Sequence, residues 1–373
     1  MTGPWPGDPA VDEPYTGPPP MLRPQQVLLR PPAVPWQAAP AWQQAVLRFP
    51  PPPPQFWTPP PGTPPHDVPR PFLQVMRSRD WAWWRPLLGL LLISVVYVVA
   101  VVVVGLLALV TGLAPDLDLL DLVDPAVLLV TNLALIVAVP VVWLAWAAAH
   151  GMRIGWSSSV LARLRWRLIP PFTLIALFTL GTGIGLSILL SVLLGEEAVT
   201  GPVADYGWLL VVVLLTTPLQ SAAEEYLFRG YLSQAIAGWI RGPAAGALVA
   251  GVLTAALFSL AHAPGDWPTF LDRFAFGLAA SAVVWLTGGL EAAIVLHAVN
   301  NVLVFVLAGA LGEAVATEEV PDGTGLLFLA VSLLTMAAYV ALVGRAARRL
   351  RPETHTAAQD LRRPPALLPA PVR

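Results

Sequence analysis

Two adjacent carboxylates and an arginine stand inside an apolar run: "PLQSAAEEYLFRGYL", Pro218 to Leu232, carries Glu224, Glu225 and Arg229. Ionisable side chains in hydrocarbon cost about 2.5–3.5 kcal/mol each even on the lower scales, so they persist where they pair or work. Helical spacing separates these two uses. Glu225 and Arg229 are four residues apart with the acid first, the favourable order for an ion pair. Glu224 points about 100° away around the helix. A carboxylate that no cation neutralises is free for general acid or base chemistry. A structural charge cluster that ties helices together is the competing reading.

Two further stretches carry the remaining chemistry. "FSLAH" puts Phe258 and His262 on one helix face, and "HAVNN" does the same for His297 and Asn301. A histidine can ligate a metal or orient a water, and an asparagine can hold an oxyanion. A lone buried histidine is usually a satisfied core residue. Two histidines, an asparagine and a free glutamate on three apolar segments are harder to explain by packing. Phe258 is a packing residue that would also shape a pocket beside His262.

Taken together, "EEYLFR", "FSLAH" and "HAVNN" resemble the CPBP family of intramembrane proteases, also called the CAAX prenyl protease 2 or Abi family. Its pattern is Glu-Glu-x-x-x-Arg, then Phe-x-x-x-His, then His-x-x-x-Asn. The resemblance covers about residues 168–312 in detail and the other spans only in general architecture. It implies hydrolysis of a peptide bond in a membrane-associated protein or peptide. Glu224 would activate water, with Glu225 and Arg229 in support. His262 would share the water or a metal, and His297 with Asn301 would form the oxyanion side. Members are commonly called metalloproteases. Glu224, His262 and His297 could supply three ligands to Zn2+ and leave an open position for water. Two histidines and a water-activating glutamate could also work without metal. Eukaryotic relatives trim prenylated C-terminal tails; in a bacterium, maturation of a peptide or removal of a membrane-bound regulator is the expected use.

Other protease chemistries fit worse. There is no His-Glu-x-x-His motif. "GLSI", Gly185 to Ile188, lacks the second glycine of a Gly-x-Ser-Gly, and Asp266 falls in a short outer loop and not in a span, as an aspartyl protease would need. "GTGIG", Gly181 to Gly185, lies inside a span and reads as close helix packing. A proton-coupled transporter with Glu224, His262 and His297 as a relay, or a catalytically silent membrane scaffold, are the alternatives. No repeated half is visible to favour a transporter.

These residues must be positioned by helices in a bilayer. Of 373 residues, 56% are hydrophobic and 12% charged, about half the charge of a soluble domain. The class is therefore all-α, a polytopic transmembrane bundle. Runs near 86–112, 126–149, 168–195, 207–232, 243–263, 270–288, 290–312 and 323–344 give about eight spans at ~20 residues each. Pro140 and Pro218 fall inside two of them. Trp81, Trp83 and Trp84 mark an interfacial belt before the first. The net charge of −2 argues against a nucleic-acid partner. With no cysteine there is no disulfide, thiolate zinc site or thiol nucleophile. With no lysine either, the composition reads as a GC-rich bacterial genome.

Residues 1–80 are Pro-rich and without apolar period, and read as a disordered cytoplasmic tail. Residues 81–350 form the transmembrane protease domain, and 351–373 a disordered C-terminal tail. Arg77, Arg79 and Arg85 precede the first span. Arg153, Arg163, Arg165 and Arg167 follow the second, Arg241 the fourth, and Arg345, Arg348, Arg349 and Arg351 the last. The other loops are acidic, with Asp116, Asp118, Asp121, Asp124, Glu196, Glu197, Glu313, Glu318 and Glu319. The positive-inside rule then expects a multi-pass protein of the inner (plasma) membrane with both termini cytoplasmic. The site's cavity should open toward the cytoplasm. Depth raises one difficulty: His297 falls in the inner half of its span and His262 near the outer end of its own. They meet only if "SQAIAGWIRGP" extends the fourth helix inward and the fifth starts deeper.

Overall fold

The computed structural model describes residues 65–113, 121–194, 201–312 and 325–358. Eight helices in it are long and apolar enough to cross a membrane: α1 (Arg85–Thr111), α2 (Pro125–His150), α3 (Trp166–Leu194), α4 (Tyr206–Trp239), α5 (Pro243–Ala261), α6 (Trp267–Thr287), α7 (Glu291–Leu311) and α8 (Gly325–Leu350). The chain is an all-α multi-pass bundle, with no strand among the described residues. Residues 1–64 and 359–373 of the expected tails lie outside the described residues, as do Asp116, Asp118, Glu196, Glu197, Glu313, Glu318 and Glu319.

Local sequence explains the boundaries. Asp124 caps α2 by accepting from the amides of Ala126 and Val127, each at 2.8 Å. Asp266 caps α6 through Thr269 N at 2.7 Å. Gly288, at φ +71°, ends α6 in the left-handed conformation that glycine adopts most cheaply. Pro140 cannot donate to Ile136, and the α2 ladder is interrupted beside it at Val137. In α4 the ladder passes through Pro218 and changes instead to a π turn at Phe228–Leu232.

α4 and α7 pack side by side at the centre. α2 lies against α4, α6 against α5 and α8, and α3 against α7 and α8. Of the glycines at 181, 183 and 185, only Gly183 makes a close approach: a Cβ there would stand 2.3 Å from Thr335 Oγ1 on α8. α4 is the unusual member. Its 34 residues span about 51 Å, well beyond a ~30 Å hydrocarbon core. Glu224 sits about 22 Å above its C-terminal end. α5 starts from that end and climbs about 28 Å to His262, so the α5–α6 turn arrives at the level of Glu224. The extension of the fourth helix through Trp239 removes the depth difficulty.

The α4 C-terminal end of the bundle is closed by segments without apolar period. Residues 65–80 pack as part of the bundle, with Phe72, Leu73, Val75 and Met76 buried. Gln74 Nε2 donates to Ile240 O at 2.7 Å. Residues 351–358 are likewise ordered. Pro71 and His355 form an antiparallel bridge, and Thr356 exchanges hydrogen bonds with Arg70 through Thr356 N to Arg70 O (2.9 Å) and Arg70 N to Thr356 Oγ1 (3.0 Å). Arg165 is no solvated loop charge. It is buried and grips Glu291 through Nε to Oε1 (2.9 Å) and Nη2 to Oε2 (2.6 Å), while Nη1 donates to Glu353 O (2.7 Å). These contacts form a strap from the last helix back to the segments before α1 and α3.

Candidate active site

Four of the six residues singled out above, Glu224, His262, His297 and Asn301, line one cavity between α4, α5 and α7, and Glu225 and Arg229 are buried behind them. Arg229 Nη1 donates to Glu225 Oε1 at 2.9 Å, and both side chains are fully buried. The guanidinium is pinned further by Nη2 to Gly277 O at 2.9 Å and lies 5.1 Å from the centre of the Phe258 ring. Gly277 is required by this close approach, since a Cβ would stand 2.8 Å from Ala255 and 3.3 Å from the Arg229 nitrogen. Glu225 Oε1 also faces His297 Nδ1 at 3.0 Å. An acceptor-only carboxylate there favours the tautomer with its proton on Nδ1, in which Nε2 carries the lone pair.

His262 is fixed in the same way. Its Nδ1 lies 2.8 Å from Phe258 O, which also assigns the proton to Nδ1. The His262 carbonyl accepts from Arg273 Nη1 at 2.9 Å. The Phe258 ring touches both imidazoles, tilted against His262 at 4.5 Å and edge-on to His297 at 5.6 Å. Both free Nε2 atoms face Glu224 Oε2, at 3.9 Å from His262 and 3.8 Å from His297. That oxygen is buried and has no hydrogen-bond partner. The other oxygen, Oε1, accepts a short bond from the Gln220 amide.

Gln220 is the residue that sequence reasoning missed. It stands one turn before Glu224, on the same helix face and inside an apolar span, and that spacing was the available signal. Its Oε1 accepts from Asn301 Nδ2 at 3.3 Å, so Asn301 reaches Glu224 only through Gln220. Asn300 also lines the site and donates to Asn301 Oδ1 at 3.2 Å.

The cavity holds about 670 Å³. Its wall runs from Phe228 and Phe276 past Glu224, His262 and His297 to Leu122, Val304 and Phe305. Leu122 directly precedes α2, and Val304 and Phe305 belong to the C-terminal half of α7. The cavity therefore extends toward the bundle end opposite the arginine-rich loops, not toward them as the sequence reading expected.

Among the described residues no group of three or more His, Asp or Glu side chains could hold a metal ion. Glu224, His262 and His297 approach most nearly, but their donor atoms are 3.8 and 3.9 Å apart. Ligands of a tetrahedral zinc, with bonds of about 2.0–2.1 Å, stand roughly 3.3 Å apart. As placed, the two gaps to Glu224 Oε2 are wider than that ligand spacing.

Comparison with known proteins gives a family match over the segment that carries the site. Residues 206–303 match the family described as Type II CAAX prenyl endopeptidase Rce1-like. The chain is 27% identical over 197 residues to the uncharacterized protein YyaK of Bacillus subtilis, an alignment that covers 50% of this chain and 63% of that one. No solved structure matches. The matched segment opens at Tyr206 on α4 and closes at Leu303 on α7, so it contains all six residues and Gln220.

Proposed function

Proceeding from that match, we propose that the protein is an intramembrane endopeptidase in which Glu224 activates water. The observation that supports this reading most strongly is the unpartnered Glu224 Oε2 facing two imidazole lone pairs. A water in that gap gives one proton to Glu224 while its oxygen attacks the scissile carbonyl carbon. The lone pair of His297 or His262 accepts the water's other O–H and orients it. Asn301 keeps a second N–H beyond the one given to Gln220, and donates it to the carbonyl oxygen as that oxygen becomes negative. The C–N bond breaks as Glu224 returns the proton to the leaving nitrogen, so one water is consumed and two chain ends appear. Glu225 and Arg229 are positioning residues: they hold His297 in one tautomer. Gathering at a single point, rather than along a path, favours hydrolysis over a proton relay.

The substrate class is a membrane-associated protein or peptide. The matched family's description points to a CAAX-type C-terminal segment carrying a prenyl group, and the largely apolar cavity wall suits a lipidated chain. The test is cleavage of a prenylated C-terminal peptide by purified protein, with products identified by mass. No step is routed through a metal. Activity is expected to survive a strong chelator, and the active protein to carry no stoichiometric zinc. Loss on chelation that zinc restores would instead assign Glu224, His262 and His297 as ligands.

The arginine-rich loops and the strap face the cytoplasm in this proposal, and the catalytic cavity extends toward the outer leaflet. The cysteine-free chain allows a direct check with single cysteines and an impermeant thiol reagent on intact cells. Asp121→Cys, at an exposed position before α2, is expected to label, and Arg163→Cys, exposed between α2 and α3, to remain unlabelled. The reverse pattern would invert the orientation.

A further inference from the structure

We propose a second site, for a phosphate-bearing anion, at the strap end of the bundle. Arg70, Arg77 and Arg241, with Ser78 and Trp81, line a cavity of about 430 Å³. None of these residues lines the catalytic cavity, so the proposal stands apart from the proteolytic reading.

Three guanidinium groups share this cavity without a carboxylate in its wall. Arg70 Nε is buried with no acceptor. Arg77 lies with its guanidinium 4.8 Å from the Trp81 ring centre, which fixes it as one wall. Partial burial and the neighbouring charges of Arg70 and Arg241 push the Arg77 guanidinium down from its ordinary proton affinity, so the group is electrostatically frustrated as it stands. Like charges held together this way gain most from a shared anion, and guanidinium geometry suits a phosphate's oxygens.

The frame is rigid. Arg70 is held by its exchange with Thr356, and the turn after it by Gln74 on Ile240 O. Its height identifies the source of the phosphate. Trp83 and Trp84, two and three residues after Trp81 of the cavity wall, are 63% and 46% exposed, as interfacial tryptophans that meet headgroups are. Arg77 precedes α1 and Arg241 joins α4 to α5. The ligand is therefore the phosphodiester of an anionic membrane lipid rather than a soluble phosphate.

The test uses the full chain in a neutral detergent, stripped of lipid, with thermal unfolding followed by tryptophan fluorescence. Short-chain phosphatidylglycerol, the matching diacylglycerol and inorganic phosphate are titrated separately. Phosphatidylglycerol is expected to raise the unfolding temperature, and diacylglycerol to leave it unchanged. Each arginine removed should weaken the half-effect concentration about five-fold, as expected for one basic group near an anionic lipid. Arg241→Gln tests one, and Arg77→Gln with Arg241→Gln tests two. Arg345→Gln, an exposed arginine on α8, serves as the control and should change nothing. If the double variant does not fold, Arg241→Gln alone carries the measurement, because that side chain is exposed in a turn. An equal response to inorganic phosphate would assign the site to a soluble anion and overturn the lipid source. Wild-type response in the arginine variants, or none in the wild type, would overturn the site.

Discussion

Glu224→Gln is expected to reduce peptide cleavage by at least about 100-fold, the lower end of what a general base contributes. The glutamine keeps the side chain's volume, and its carbonyl can still accept the Gln220 amide. It cannot take a proton from water. Its unfolding temperature should therefore match the wild type within error, since Glu224 Oε2 makes no hydrogen bond to lose. Turnover and thermal unfolding measured on the same preparation separate the two effects. Cleavage at the wild-type rate by Glu224→Gln would sink the assignment of Glu224 as base, whatever the substrate.

Arg229→Ala is expected to do the opposite, with its first effect on the fold. The substitution leaves Glu225 fully buried beside His297 with its main counter-charge gone. Breaking a buried pair from one side typically costs about 3–5 kcal/mol, because the surviving charge is stranded. The Gly277 carbonyl loses its donor as well. We expect low yield and a sharply lowered unfolding temperature in detergent. The decisive control removes both charges. Glu225→Gln with Arg229→Met keeps an acceptor for His297 Nδ1 and fills the guanidinium's space, and should recover most of the lost stability. A double variant as unstable as Arg229→Ala would show that the arginine acts through packing and not through charge.

The eight spans were legible because hydropathy and length alone decide what can cross a bilayer. The Glu225–Arg229 contact was legible because i,i+4 geometry is local. What lay beyond local reading had non-local causes. The continuation of α4 through 233–239 followed in the sequence only as the condition for His262 to meet His297; what holds it is burial against protein, with Gln234 Nε2 bonded to Trp156 O at 3.2 Å. That continuation sets the height of His262, which no window on α5 could reveal. Gln220 was overlooked because one amide in an apolar run carries no pattern until Glu224 and Asn301 are seen on either side of it. Which bundle end the cavity reaches depends on where helices diverge, which charge counts do not report. Residues 65–80 and 351–358 show no apolar period, and their order comes from each other, across a separation of 286 residues between Arg70 and Thr356.

That separation bears on the order of synthesis. Arg70, Arg165 and Glu291 all emerge from the ribosome before α8 has been threaded, and Arg165 Nη1 finds the Glu353 carbonyl only after it has. The two Arg165–Glu291 bonds need nothing from α8, whereas the third bond of that guanidinium does. A chain cut short just before Glu353 would carry every residue of the catalytic cavity and still leave this base unlatched.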